Sequence, residues 1–113
     1  MKHMIVIART QRELTQVFDE YRARLTYGEV AKMQRGAGHQ QIVLTNGNRV
    51  TFQTRRHTTR GYRADTIVSI EFTPTQDEAD CYAASLAPSR TGELIHADTF
   101  TPQTVAELHQ RIA

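Results

Sequence analysis

Between Gln40 and Thr54 the apolar side chains Ile42, Leu44, Val50 and Phe52 alternate with polar ones on either side of Asn46-Gly47-Asn48. Successive strand side chains point to opposite faces, and a tight turn needs residues that tolerate positive φ, so this pattern marks a β-hairpin. Paired strands are predicted over 40–45 and 49–54. Arg55, Arg56, His57, Arg60 and Arg63 follow, interrupted by Thr58, Thr59, Gly61 and Tyr62 and with no apolar period. That stretch reads as a basic loop. Ile67, Val68 and Ile70 then make a short, nearly continuous apolar run that ends on an acid, Glu71, as expected of a strand buried on both faces.

The rest of the chain supplies layers for these strands. Met4 to Ala8 is an apolar pentad, too short for a core helix, and reads as a buried strand. Thr10-Gln11-Arg12-Glu13 has the capping-box form and should open a helix whose buried stripe is Leu14, Val17, Phe18, Tyr21 and Leu25. Gly28 closes that region, and Gly36-Ala37-Gly38 leads into the hairpin. Val30 to Met33 fits either a helical turn or an extra strand. Thr75-Gln76-Asp77-Glu78 is a second capping box, for a helix with Ala79, Tyr82, Ala83 and Leu86 on one face, stopped by Pro88. A weak strand over 93–98 and a helix from Thr101-Pro102, with Val105, Leu108 and Ile112 inward, complete the pattern. This succession predicts an α/β fold: a sheet of about five strands with a central hairpin, flanked by about three helices.

With 113 residues the chain supports one domain, 1–113, and one core. Apolar content of 39% and charged content of 23% are ordinary globular values, which excludes disorder and coiled coil. No apolar run approaches the ~20 residues of a membrane helix, and MIVIA is too short for a signal-peptide core, so a cytoplasmic protein without membrane contact is expected. The single cysteine, Cys81, excludes an internal disulfide and reads as a small apolar side chain on a helix. The formal charge is only +2, but it is polarised: four arginines lie in the loop after the hairpin, while Asp77, Glu78 and Asp80 cluster on the next helix.

Catalytic signatures are scarce. The histidines at 3, 39, 57, 96 and 109 are scattered, without a ligand pair or a Cys–His spacing, so no metal site and no cofactor is expected. Ser69, Ser85 and Ser89 lack the GxSxG context of an exposed nucleophile. Neither GxxxxGK[ST] nor GxGxxG occurs. What remains is Glu71, at the end of a buried strand and beside the arginine-rich loop. A strand end is where open α/β sheets place ligands, though an acid there also serves to cap the strand or pair with an arginine.

IVIARTQRELTQVFDEYRARL, QIVLTNGNRVTFQTR and TTRGYRADTIVSIE, in this order and spacing, resemble the ATPase core of phage large terminases, the DNA-packaging motors. The resemblance covers roughly residues 4–98 and implies a partial P-loop NTPase-like core. Arg60, Gly61 and Asp65 match the family's loop motif. Its departures imply loss of catalysis. The phosphate-binding loop and its lysine would lie upstream of Met4. The family's magnesium-holding aspartate falls on Ile70, and its water-orienting glutamate on Glu71, which is then vestigial. The family's nuclease domain is missing. Phosphoryl transfer rests on that loop, its lysine and the metal, so the resemblance implies a non-catalytic phage or prophage protein.

Two functions follow as expectations. In the first, Arg55, Arg56, His57, Arg60, Tyr62 and Arg63 bind nucleic acid, the arginines at phosphates and Tyr62 by stacking. In the alternative, the same residues contact a phage or host protein, modulating a packaging motor or host enzyme without any nucleic acid. An uncovered sheet edge in a cut-down fold would favour a homodimer.

Overall fold

The strand His3–Ala8 (β1) is buried along its whole length and lies between two parallel neighbours. In the computed structural model, which describes residues 1–36, 39–57, 59 and 61–113, it is followed by helix α1 (Gln11–Arg24), a 3-10 turn (Tyr27–Glu29) and strands β2 (Val30–Gly36), β3 (His39–Leu44), β4 (Arg49–Thr54) and β5 (Thr66–Ile70). Helix α2 (Gln76–Leu86), strand β6 (Glu93–Ala97) and helix α3 (Pro102–His109) complete the chain. The six strands form one sheet in the order β2-β3-β4-β1-β5-β6. β4, β1, β5 and β6 run parallel, and β3 is antiparallel to both β4 and β2. The α/β expectation holds, with a sixth strand. That strand is β2, where the sequence left helical turn and strand both open. Pairing with β3 decides it, with Met33 opposite Ile42.

Period-two alternation sorts the core onto two faces. Met4, Val6 and Ala8 of β1, with Ile42, Val50, Phe52, Val68 and Ile70, meet the inward stripes of α1 and α3 on the first face. There the Phe52 ring stands edge-on to Phe18 at 5.1 Å and to Tyr21 at 5.6 Å. Ile5, Ile7 and Ile67 project to the second face and meet Ala64, Phe72 and Tyr82, with half-buried Cys81 at the margin. The helices begin where their caps put them. Thr10, Thr75 and Thr101 each accept the backbone N–H three residues on. Only the first box departs: Glu13 leaves the Thr10 backbone and binds Arg9 through two hydrogen bonds of 3.0 and 2.6 Å.

The hairpin turn is also an anchor. Gly47 sits at φ 91°, which a side chain would strain, and its N–H closes on Leu44 O at 3.0 Å. Asn46 and Asn48 both donate to Ile112 O, and Asn48 Oδ1 accepts the Lys2 N–H, so this turn fastens the segments before β1 and after α3.

Truncating Phe52 to Ala removes the ring that joins α1 to the sheet. Chemical denaturation should show a loss of about 3–5 kcal/mol, the range for a buried aromatic. A loss below ~1 kcal/mol would mean that this face is not a close-packed core.

Candidate nucleic-acid interface

The basic loop is a crossover. β1 lies between β4 and β5, so the chain leaving the carboxyl end of β4 at Thr54 must pass β1 to start β5 at Thr66. It does so along the second face, against α2. Thr59 is fully buried, donating its hydroxyl to Cys81 O and accepting at its carbonyl from Ser85 Oγ at 2.7 Å. Ala64 N–H bonds Ser85 O at 3.1 Å, and Gly61 takes φ 84° just before Tyr62. The inward positions Thr59 and Ala64 are therefore small, while Arg56 and Arg63 face out.

Within it the arginines differ sharply. Arg55 is held by Glu78 in a two-pronged ion pair, Nε to Oε2 at 3.1 Å and Nη2 to Oε1 at 2.6 Å, and lies 4.4 Å above the Phe72 ring. The hydrogen bonds from Arg55 hold the Glu78 carboxyl below its ordinary range. Arg55 therefore fastens the crossover to α2, with its Nε–Nη2 edge committed to Glu78. Arg56 and Arg63 are exposed and have no ion-pair partner among the described residues. His57 faces Thr54 Oγ1 through Nδ1 at 3.1 Å. Tyr62 is 49% exposed. Arg60 lies outside the described residues.

The larger cationic surface comes from the sheet. α2 and the crossover cover the β1-β5-β6 half of the second face, whereas the β2-β3-β4 half carries no helix among the described residues. Register places Lys32, Val43, Arg49 and His3 in one row across the strands, and Gln34, Gln41 and Thr51 in the next. Lys32, Gln34 and Arg49 are exposed. A relay of hydrogen bonds runs through this face toward the crossover. Gln41 Nε2 donates to Thr51 Oγ1 at 3.5 Å, and Thr51 Oγ1 faces His3 Nε2 at 2.7 Å. His3 Nδ1 meets Arg63 O at 2.8 Å, and a carbonyl only accepts, so Nδ1 carries the proton and Nε2 receives the Thr51 hydroxyl. Burial, with Arg49 nearby, lowers the His3 pKa and so favours the neutral imidazole.

At the carboxyl edge, Glu71 stands at the end of β5 with φ 60°, its N–H bonded to Ala97 O at 2.7 Å and its carboxylate 3.2 Å from Arg9 Nη2. Ile70 faces the first core.

Two polar networks escaped sequence reading. Ser69 Oγ lies 3.1 Å from His96 Nδ1, and His96 Nε2 lies 2.8 Å from Asp98 Oδ1, the series of a nucleophile relay. Ser69 is fully buried, so its hydroxyl cannot reach a substrate and the series serves to join β5 to β6. On the first face, Tyr21 Oη meets His109 Nδ1 at 3.0 Å, and His109 Nε2 meets Glu29 Oε2 at 2.7 Å. Hydrogen bonds from the Thr26 N–H, His109 and the Thr26 hydroxyl pull Glu29 down to about 2. These contacts join residues up to 88 apart in sequence, which no local pattern signals. The cationic row had one: Gln41, Val43, Arg49 and Thr51 alternate with the hairpin's core residues and so mark a face without a helix. No group of His, Cys, Asp and Glu suited to a metal ion occurs among the described residues, and no helix there is long and apolar enough to cross a membrane.

No family model, curated protein or solved structure matches this chain.

The two adjacent arginines should separate in a stability measurement. Arg55→Ala loses a charge-assisted fork and a stacking contact, and should cost about 1–3 kcal/mol in denaturant unfolding. Arg56→Ala should stay within about 0.5 kcal/mol. Equal effects would contradict the division between a structural and a free arginine.

Proposed function

We propose that the chain is a non-catalytic nucleic-acid-binding protein whose contact surface is the open half of the second face, together with the outward side of the crossover. One observation carries this reading. The row from Lys32 through Arg49 to His3 continues to Arg63 and Lys2, and the two oxygens of nearby Asp65 already accept from Ser89 Oγ at 2.7 Å and His3 N–H at 2.9 Å. Elsewhere the arginines are mostly neutralised: Arg9 by Glu13 and Glu71, Arg24 by Glu20, Arg35 by Asp19 and Arg111 by Glu93. Among the described residues Arg12 on α1 and Arg90 after α2 also lack an ion-pair partner, so most, though not all, of the unneutralised arginine and lysine charge lies on this surface.

The chemistry of that surface favours a phosphate backbone over a protein partner. Protein interfaces draw their affinity from aromatic and apolar anchors in pockets. The open sheet instead offers lysine, arginine, glutamine and threonine, which suit phosphate and sugar oxygens. Tyr62, exposed beside Arg63, gives a ring on which a base can stack. Such binding is sequence-tolerant and salt-sensitive. In this reading the chain is a degenerate relative of the packaging ATPases. Glu71 sits at the carboxyl end of β5, where open α/β sheets place ligands, but Arg9 engages its carboxylate and Ile70 is turned into the core. One observation favours the alternative of protein contact: β6 is an edge strand of five residues with Leu94 43% exposed, suited to pairing with a second copy or a partner.

The test is fluorescence anisotropy with labelled single-stranded DNA, duplex DNA and RNA. Four phosphate contacts on a single strand, at a slope of about 0.7 per contact, should weaken binding about 50-fold between about 50 and 200 mM salt. Lys32→Ala combined with Arg56→Ala should remove two contacts and leave a salt effect of about sevenfold. An unchanged salt slope in the double variant would place the interface elsewhere. No binding at either salt would overturn the reading and leave the β6 edge as the functional surface.

A further inference from the structure

The amino ends of β1, β4 and β5 line an open cleft of about 570 Å³, within the size range of small-ligand sites. It lies at the edge of the sheet opposite Glu71. Lys2, His3, Arg49, Arg63, Asp65 and Ser89 supply its polar lining. Lys2, Arg49 and Arg63 are exposed and have no ion-pair partner among the described residues. Burial works against the ionised form of Asp65, but the hydrogen bonds from Ser89 and the His3 N–H outweigh it and hold the carboxyl below its ordinary range. Asp65 is thus an internal strut with both oxygens occupied. The same framework fixes the backbone that carries the cations. Arg63 O is bound by the His3 ring, Asp65 N–H by His3 O at 2.8 Å, and Arg49 N–H by Lys2 O at 3.1 Å. Three backbone segments that carry cations are therefore tied to one another before any ligand arrives, and ligand binding need not organise them.

We propose that this cleft binds a phosphate monoester, carried either by a free mononucleotide or by the 5′ end of a nucleic-acid strand. Three cations lining one cleft suit a dianionic terminal phosphate better than the single charge of a backbone phosphodiester, and the fork of an arginine matches its oxygens in pairs. The volume admits a nucleotide beyond the phosphate. The inference extends the nucleic-acid reading without resting on it, because a mononucleotide can fill the cleft when no strand crosses the sheet.

The experiment is isothermal titration of the full chain with AMP and with adenosine, and anisotropy with one single-stranded oligonucleotide carrying either a 5′-phosphate or a 5′-hydroxyl. AMP should bind and adenosine should not. Lys2→Gln combined with Arg63→Gln should weaken AMP at least about tenfold, whereas Lys32→Gln, outside the cleft, should leave it unchanged. Both Lys2 and Arg63 are exposed, and circular dichroism would verify that the double variant is folded. If the phosphorylated oligonucleotide also binds at least tenfold better than the hydroxyl form, the source is a strand end; AMP binding without that preference makes it a free nucleotide. Equal binding of AMP and adenosine, no binding of AMP, or AMP affinity untouched by the double variant overturns the proposal. Salt-sensitive binding of a strand regardless of its 5′ end would then still stand for the open sheet alone.

Discussion

The insertion of β1 between β4 and β5 is the constraint on which the rest of this fold depends. A strand buried on both faces needs a hydrogen-bonded neighbour on each edge and an apolar layer above and below, and β1 has all four. Because β4 and β5 are its neighbours and run parallel to it, the connection between them cannot be a hairpin. It must return the length of the sheet over β1. Among the described residues that return is made without a helix, burying Thr59 and Ala64 and leaving Arg56 and Arg63 outward. A basic segment is in this way displayed along the second face as a consequence of strand order.

The same strand order leaves half of the second face open. Parallel strands β1 and β5 are apolar on both faces and need α2 above them, whereas β3 and β4 alternate apolar with polar residues and tolerate water. The boundary between the covered and open halves passes through His3. Its neutral ring spans from Thr51 on the open side to Arg63 at the end of the crossover. One buried imidazole thereby couples the register of the sheet to the position of a cation at its rim.

What was legible in the sequence was what short-range chemistry dictates. The hairpin 40–54 follows from alternation and an Asn-Gly turn, and the helix starts at Thr75 and Thr101 from their caps. The capping box at Thr10 was half right, because Arg9 competes for Glu13 and wins by offering two charged hydrogen bonds. The basic cluster was legible as a cluster, but not the difference between its members. Arg55 and Arg56 are adjacent and identical in type. Only the fold brings Glu78 and Phe72 to the first and leaves the second without an ion-pair partner among the described residues. Lys2, Lys32 and Arg49 were overlooked because they are far apart in sequence and become neighbours through register alone. The polarity of Gln41, Arg49 and Thr51 was a usable sign that no helix covers them.

In the proposed function, unneutralised cations on the open half-sheet and crossover meet nucleic acid. The most direct measurement is a map of backbone amide chemical-shift changes by NMR on adding a short single-stranded oligonucleotide at low salt. Changes should concentrate at Lys32, Gln34, Gln41, Arg49, Thr51 and Arg63, with α1 and α3 on the opposite face unaffected. Changes confined to α1, α3 or the Arg9–Glu71 edge, or no changes at all, would contradict it.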